Sequence, residues 1–285
     1  MSEKNKGLLV NLLVYGGAFG LALIPFSLIG ELLYAEAAFT LTATLLIYAV
    51  SCVLGDTSLY DPYWSAAPPV MLLIAMIKYR LWSLCGLLFL LAVLVWSVRL
   101  TGNWAIRYRG LGREDWRYRG FRDRLRRLPF ELLNLCGFML MPTAVVFAGL
   151  IGGFYVLRAE VFRPMMLAGL LIMLAGTLLE HIADTAMSDF LRHEENCGLC
   201  CRVGVWKYSR HPNYLGEMSF WFGVFVSYAA LYPAQWVRGL GFLLIVGVFL
   251  FASIPMMEAH NRERRSDYEE YREKTSPLFL LPPRR

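Results

Sequence analysis

The sequence predicts an all-α fold, a polytopic membrane bundle of seven or eight transmembrane helices. Three observations lead there. Of the 285 residues, 57% are hydrophobic and 18% are charged, against about 25% charged in ordinary soluble domains. Several apolar stretches reach the roughly 20 residues that cross a hydrocarbon core of about 30 Å, with no charge in their middles. The formal charge of +6 is concentrated between those stretches, as in loops held near anionic headgroups, and does not form a face suited to nucleic acid. The chain is therefore read as one membrane-embedded domain, residues 1–285, with segments 101–128, 184–212 and 258–285 in the cytoplasm. Its implied partner is the lipid bilayer.

Met1–Lys6 precedes an apolar run without a small-residue cleavage site, so that run reads as a retained first span and not as a signal peptide. The first span covers Gly7–Gly30 and the second Ala37–Leu54, joined by a short acidic loop with Glu31 and Glu36 that suits the outer side. Asp56–Pro69 holds Tyr60-Asp61-Pro62-Tyr63-Trp64 and the pair Pro68-Pro69, which argues against regular helix throughout. Val70–Ile77 stops at Lys78-Tyr79-Arg80, too short to span unless it tilts, recruits the preceding insert or turns back. Leu81–Leu100 is a clean span. Nine arginines between Arg107 and Arg127, against Glu114, Asp115 and Asp123, assign the next loop to the cytoplasm. Leu132–Val156 and Met165–Leu179 then go out and back, and Asp184–Lys207 is a second cytoplasmic loop. Met218–Tyr232 and Val237–Pro255 make a last hairpin ahead of a basic tail.

Cys197, Cys200 and Cys201 cluster in a polar loop with His193. Cys-x-x-Cys-Cys has no second half to close a tetrahedral shell, so no metal site is expected and these thiols read as reduced and solvent-reachable.

The most informative stretch is Gly204-Val-Trp-Lys-Tyr-Ser-Arg-His-Pro-Asn-Tyr-Leu-Gly-Glu217. Pro212 suits a helix first turn, whose N–H groups and positive dipole end favour an anion such as a phosphate, and Lys207 and Arg210 reinforce that field. The plainer alternative is that these cations anchor a span while Trp206, Tyr208 and Tyr214 form an interfacial aromatic belt. Asn213 and Glu217 lie four apart on one face, and Glu217 falls inside the coming span, where a carboxylate needs a partner or a ligand. Glu180 and Asp184 are also four apart. Two close carboxylates call for a cation or hydroxyl donors between them, and ribose hydroxyls are such donors. Otherwise they solvate a helix end or pair with Arg192 and His181.

Tyr208-Ser-Arg-His-Pro-Asn-Tyr-Leu-Gly-Glu217, with Tyr60-Asp-Pro-Tyr-Trp64, Glu114-Asp-Trp-Arg-Tyr118 and Asp267-Tyr-Glu-Glu-Tyr-Arg-Glu-Lys-Thr-Ser276, resembles the uncharacterised bacterial branch of the steroid 5α-reductase family. The resemblance covers most of the chain in the right order. It implies a multi-pass protein of the bacterial inner membrane that moves a hydride from NADPH to a conjugated carbon–carbon double bond of an apolar, lipid-like substrate. In that family an asparagine and a glutamate of the motif serve the dinucleotide site, matching Asn213 and Glu217. Asp184 matches an acidic residue at the end of the preceding helix, Glu180 stands where the family has asparagine, and Arg192 is one residue out of register. Arg117, Tyr118 and Arg122 match the family pattern and are candidates to close over phosphates. Tyr208, Arg210, His211 and Tyr268 complete the implied cofactor set.

At the substrate end Trp96 stands where the family has a carbonyl-holding tyrosine, which leaves Asp61 and Tyr63 as candidate acid and phenol, or as an interfacial turn. Isoprenylcysteine and phospholipid methyltransferases share a similar Arg-His-Pro-x-Tyr-x-Gly core and bind S-adenosylmethionine, the alternative cofactor. Their acidic pair on the last span appears here as Glu258 followed by Ala259. A non-catalytic lipid-binding protein is the third alternative.

Overall fold

The computed structural model describes residues 2–284, and among these it forms helices and no strand. There are ten helices: α1 (Glu3–Leu28), α2 (Leu32–Leu54), α3 (Tyr63–Tyr79), α4 (Leu84–Arg107), α5 (Trp116–Arg124), α6 (Arg127–Leu157), α7 (Met166–Phe190), α8 (Pro212–Leu231), α9 (Pro233–Arg264) and α10 (Tyr268–Lys274). Six of them, α1, α2, α4, α6, α7 and α9, are long and apolar enough to cross a membrane. Two compact units, Met1–Val161 and Phe162–Arg285, divide the chain.

In the first unit local chemistry sets the helix ends. Ser2 caps α1 by accepting the Asn5 N–H at 3.2 Å, Glu31 caps α2 by accepting the Tyr34 N–H at 3.0 Å, and Ser83 caps α4 by accepting the Gly86 N–H at 3.0 Å. Gly55 closes α2 in the left-handed region at φ 65°, where a Cβ would be strained. Because Glu31 is the cap, α2 begins earlier than the apolar run suggests, and Glu36 lies inside the helix and not in an acidic loop. The insert after α2 winds into a short 3-10 turn over Thr57–Tyr60, and α3 then recruits the rest, running through Pro68 and Pro69. That resolves the short piece at Val70–Ile77 in favour of recruitment.

Both long interrupted helices share one device. In α6 a π turn over Asn134–Leu140 ends just before Pro142, and in α9 a π turn over Phe249–Ser253 ends just before Pro255. Proline has no N–H for the carbonyl four residues back, and the wider π turn absorbs the misfit without breaking the helix.

The second unit is organised by the pair α7 and α8. Gly169 and Gly176 on α7 face Gly216 and Gly223 on α8. A Cβ added at Gly216 would sit 2.6 Å from the Gly176 carbonyl oxygen, and one at Gly223 would sit 2.7 Å from the Gly169 carbonyl oxygen. Backbones this close admit only glycine, the usual way that helices gain contact where no water drives them together. The α7 helix continues to Phe190, past the predicted end of its span, so Glu180 and Asp184 are buried within it and do not mark its end.

Candidate functional site

The second unit holds the motif. His211 precedes α8, with Pro212 in its first turn. The His211 N–H donates to Ser209 Oγ at 3.1 Å, and its ring stacks on Tyr214 at 5.3 Å. Arg210 does not face solvent. Its Nε and Nη2 reach Glu258 Oε1 at 2.9 and 2.6 Å, and its Nη1 donates to the carbonyls of Arg272 and Thr275 at 2.7 and 3.2 Å. The tail is thereby folded onto the motif. The Arg210 N–H donates to the Ser276 carbonyl at 2.8 Å, Ser209 Oγ to the Leu278 carbonyl at 2.6 Å, and the Leu281 N–H to the Tyr208 carbonyl at 3.1 Å. Tyr271 Oη adds a bond to the Trp206 carbonyl at 2.6 Å.

Between motif and tail lies a cavity of about 40 Å³, lined among others by Cys200, Cys201, Arg210, His211, Arg265 and Tyr268. It is large enough for a few waters or one polar group. Of the polar side chains lining it, Tyr268 Oη is buried and makes no hydrogen bond in the protein, and His211 Nε2 is buried with only a long contact, 3.5 Å, to Glu258 Oε1. Burial pushes the Tyr268 phenol up to about 12, with the nearby Glu258 charge adding to it, so the hydroxyl is a neutral donor at neutral pH. Buried polar atoms without partners are uncommon, and a polar ligand group or ordered water satisfies them.

The remaining acidic candidates lie on α7 and α8. A Cβ at Gly216 would meet Glu180 Cγ at 2.6 Å, which places the Glu180 side chain directly over the motif glycine. Glu217 is buried and accepts from the Trp221 indole at 2.8 Å, one turn along α8. Asn213 is half-buried at the helix start and accepts the Tyr214 N–H at 3.1 Å. Asp184 lies one turn beyond Glu180 and is buried. Arg192 stands apart on the surface, paired with Asp189 at 2.9 Å, and Tyr208 is largely exposed.

The cysteine expectation is corrected here. Cys200 and Cys201 are buried and only Cys197 of the three is exposed. The Cys200 N–H donates to Asp267 at 2.8 Å and its side chain packs with Tyr268 and Tyr271, so this loop is part of the cavity wall and not a solvent-reachable strand of thiols.

In the first unit, Arg117, Tyr118 and Arg122 are engaged by the turn before α3. Tyr118 Oη donates to Asp61 at 2.6 Å, while Arg117 pairs with Asp115 at 2.8 Å and lies 3.9 Å from Asp61. Arg122 grips Glu114 through two bonds and donates to Thr57 Oγ1 at 3.2 Å. Burial raises the Asp61 carboxyl to about 6 against the opposing pull of Arg117 and the Tyr118 bond. Tyr63 is buried, and its hydroxyl meets Thr40 Oγ1 at 2.9 Å and donates to the Thr40 carbonyl at 3.0 Å.

One residue was hidden from sequence reasoning. Glu36 is fully buried and neither of its carboxylate oxygens has a hydrogen-bond partner. With Thr40 and Thr44 at four-residue steps it forms a polar line on the α2 face that Tyr63 bonds to; the Thr44 hydroxyl meets that of Thr143 at 2.8 Å, and Thr143 in turn meets the Tyr60 hydroxyl at 2.6 Å. The signal was a carboxylate at the edge of an apolar run, a rare and costly placement inside a membrane helix.

These features define an integral, multi-pass helical membrane protein with polar side chains buried inside its helices and at the start of α8. The chain belongs to the family described as "Protein of unknown function (DUF1295)", whose model matches residues 47–275 and which is associated with steroid 5α-reductase-like proteins. No curated protein and no solved structure matches the chain.

Proposed function

We propose that this protein is a membrane-embedded reductase that transfers a hydride from NADPH to a conjugated carbon–carbon double bond in a steroid-like or other apolar lipid. The observation that carries the reading is the cavity in which two motif residues, Arg210 and His211, meet Tyr268 of the tail, with the buried Tyr268 Oη making no hydrogen bond in the protein and His211 Nε2 having only Glu258 near it, at 3.5 Å. The donor and acceptor chemistry fits a polar end of a dinucleotide, which when bound supplies the hydride. His211 and Tyr268 would bind that end, and Arg265 would add positive charge. Glu180, Asp184 and Glu217 would accept from ribose hydroxyls along the α7–α8 seam. Arg210 then acts by holding the tail closed over the motif, since its guanidinium is taken up by Glu258 and two tail carbonyls.

Within the first unit Tyr63 is the candidate phenol, which would have to exchange its bond to the Thr40 carbonyl for one to a substrate carbonyl, and Glu36 lies on the α2 face that Tyr63 bonds to. Asp61, held by Tyr118 and Arg117 and raised to about 6 by burial, is the candidate acid of this unit.

Binding to the detergent-extracted protein tests the reading. NADPH should bind more tightly than S-adenosylmethionine, and Tyr268→Phe should weaken NADPH by about 1 kcal/mol, the net worth of one hydrogen bond. The same change should leave the melting temperature unaltered, because the hydroxyl has no protein partner to lose. Glu217→Gln is the variant of choice at the seam, since it keeps an acceptor for Trp221. Tight S-adenosylmethionine binding without NADPH binding would replace the reductase by a lipid methyltransferase, and binding of neither would leave a non-catalytic lipid-binding protein.

A further inference from the structure

The C-terminal strap, residues 276–284, has two unlike edges. Its inner edge is backbone, and the Ser276 and Leu278 carbonyls and the Leu281 N–H are all bonded to residues 208–210. With that edge engaged, the consecutive side chains of Phe279, Leu280 and Leu281 are left outward, 63%, 42% and 53% exposed. Tyr208, whose carbonyl accepts the Leu281 N–H, is exposed, as are its neighbour Lys207 and, three residues on from Leu281, Arg284. Residues 275–285 include no Asp or Glu.

We infer that this strap is a membrane-interface anchor that seats Phe279, Leu280 and Leu281 among phospholipid headgroups and upper acyl chains while its backbone grips the motif. Three adjoining large apolar side chains, an aromatic with a polar tip and flanking cations are the chemistry of a segment lying in the interface plane. Position agrees: the strap is bonded to the three residues just ahead of His211 and the first turn of α8, in a chain whose long helices carry an apolar outer surface suited to a bilayer. A second copy of the chain would bring the same cations to the patch, whereas phospholipid brings phosphates. Lipid contact and the placing of Arg210 are thereby coupled, because the peptide that reaches the membrane also supplies the carbonyl for the Arg210 N–H. The inference holds whether or not the cavity binds NADPH.

Two measurements test it in proteoliposomes of phosphatidylglycerol and phosphatidylcholine. A photoreactive benzoylphenylalanine replacing Phe279 should yield phospholipid adducts on the C-terminal peptide. The same group replacing Phe251, which is 83% exposed on α9, serves as the lipid-facing standard. Adducts at 251 with none at 279, or adducts from 279 to protein only, overturn the anchor. In the triple variant Phe279→Ser, Leu280→Ser, Leu281→Ser, the amides of Arg210 and residue 281 should exchange at least tenfold faster than in the parent, with exchange inside α7 and α8 unchanged. Unaltered exchange would show that the strap is held by its hydrogen bonds alone and would equally overturn the proposal.

Discussion

Replacing Arg210 by glutamine should release the tail from the start of α8. The guanidinium makes two contacts with Glu258, at 2.9 and 2.6 Å, and two with tail carbonyls, at 2.7 and 3.2 Å. Hydrogen bonds to charged groups contribute about 1.5–3 kcal/mol each, and breaking a buried pair by removing one partner costs about 3–5 kcal/mol. The Arg210 side chain is 10% exposed and that of Glu258 is 25% exposed, so solvent can rehydrate the abandoned carboxylate in part. About 3 kcal/mol is therefore expected, a change of roughly 150-fold in the local opening equilibrium. Hydrogen exchange at the amides of Leu281 and Arg284, which bond to the Tyr208 and Lys274 carbonyls, reads that opening directly. A cycle with Glu258→Gln should give a coupling near 2 kcal/mol. A coupling below about 0.5 kcal/mol, with the tail amides still protected in the single variant, would refute the view that this pair holds the tail.

Gly216→Ala should destabilise the second unit by about 1–3 kcal/mol or more through overpacking, because the new Cβ would lie 2.6 Å from both Glu180 Cγ and the Gly176 carbonyl oxygen. Gly20→Ala, with nothing within 4 Å, should leave thermal melting unchanged or raise it. The Asp61 carboxyl is raised from its ordinary range to about 6, so folding favours the protonated form. Its contribution is fully present below about pH 4 and is lost as pH rises through about 6, at most roughly 2–3 kcal/mol. Asp61→Asn should flatten the stability profile between those pH values, and an unchanged slope would count against the burial argument. Maleimide should label Cys197 readily in the native protein and spare Cys200 and Cys201 until unfolding, the Cys200 thiol being pushed up to about 12 by burial and by Asp267; equal labelling of all three would contradict the closed cavity wall.

Much of the fold was legible because membrane helices answer to local rules. An apolar run long enough to span announces itself, Pro212 marks a helix start, and the i, i+4 pairs Glu180–Asp184 and Asn213–Glu217 must share a helix face. Boundaries were less secure wherever a polar cap overlapped an apolar run. Glu36 stands just ahead of the apolar run that begins at Ala37 and so reads as loop, yet the cap at Glu31 carries the helix through it. The apolar length of α7 likewise ended before its hydrogen bonding did, which hid that Glu180 and Asp184 are interior residues.

The sequence by itself determined the class of protein, the order of its long apolar runs and which motifs stand near helix ends, since these depend on length, hydropathy and capping within a few residues. The helix count, read as seven or eight spans, was left to the structure, in which six helices are long and apolar enough to cross. Only the tertiary structure decided what those motifs touch. Gly216 looks like part of a ligand motif and proves to be where two backbones meet. Arg210 looks like an anion-binding cation, yet it is taken up by partners 48 to 65 residues away. Side-chain partners of that kind follow from which helix faces pack and how the tail folds back. Those are long-range choices, made by the closest fit of surfaces and the pairing of buried polar groups, and no local pattern records them.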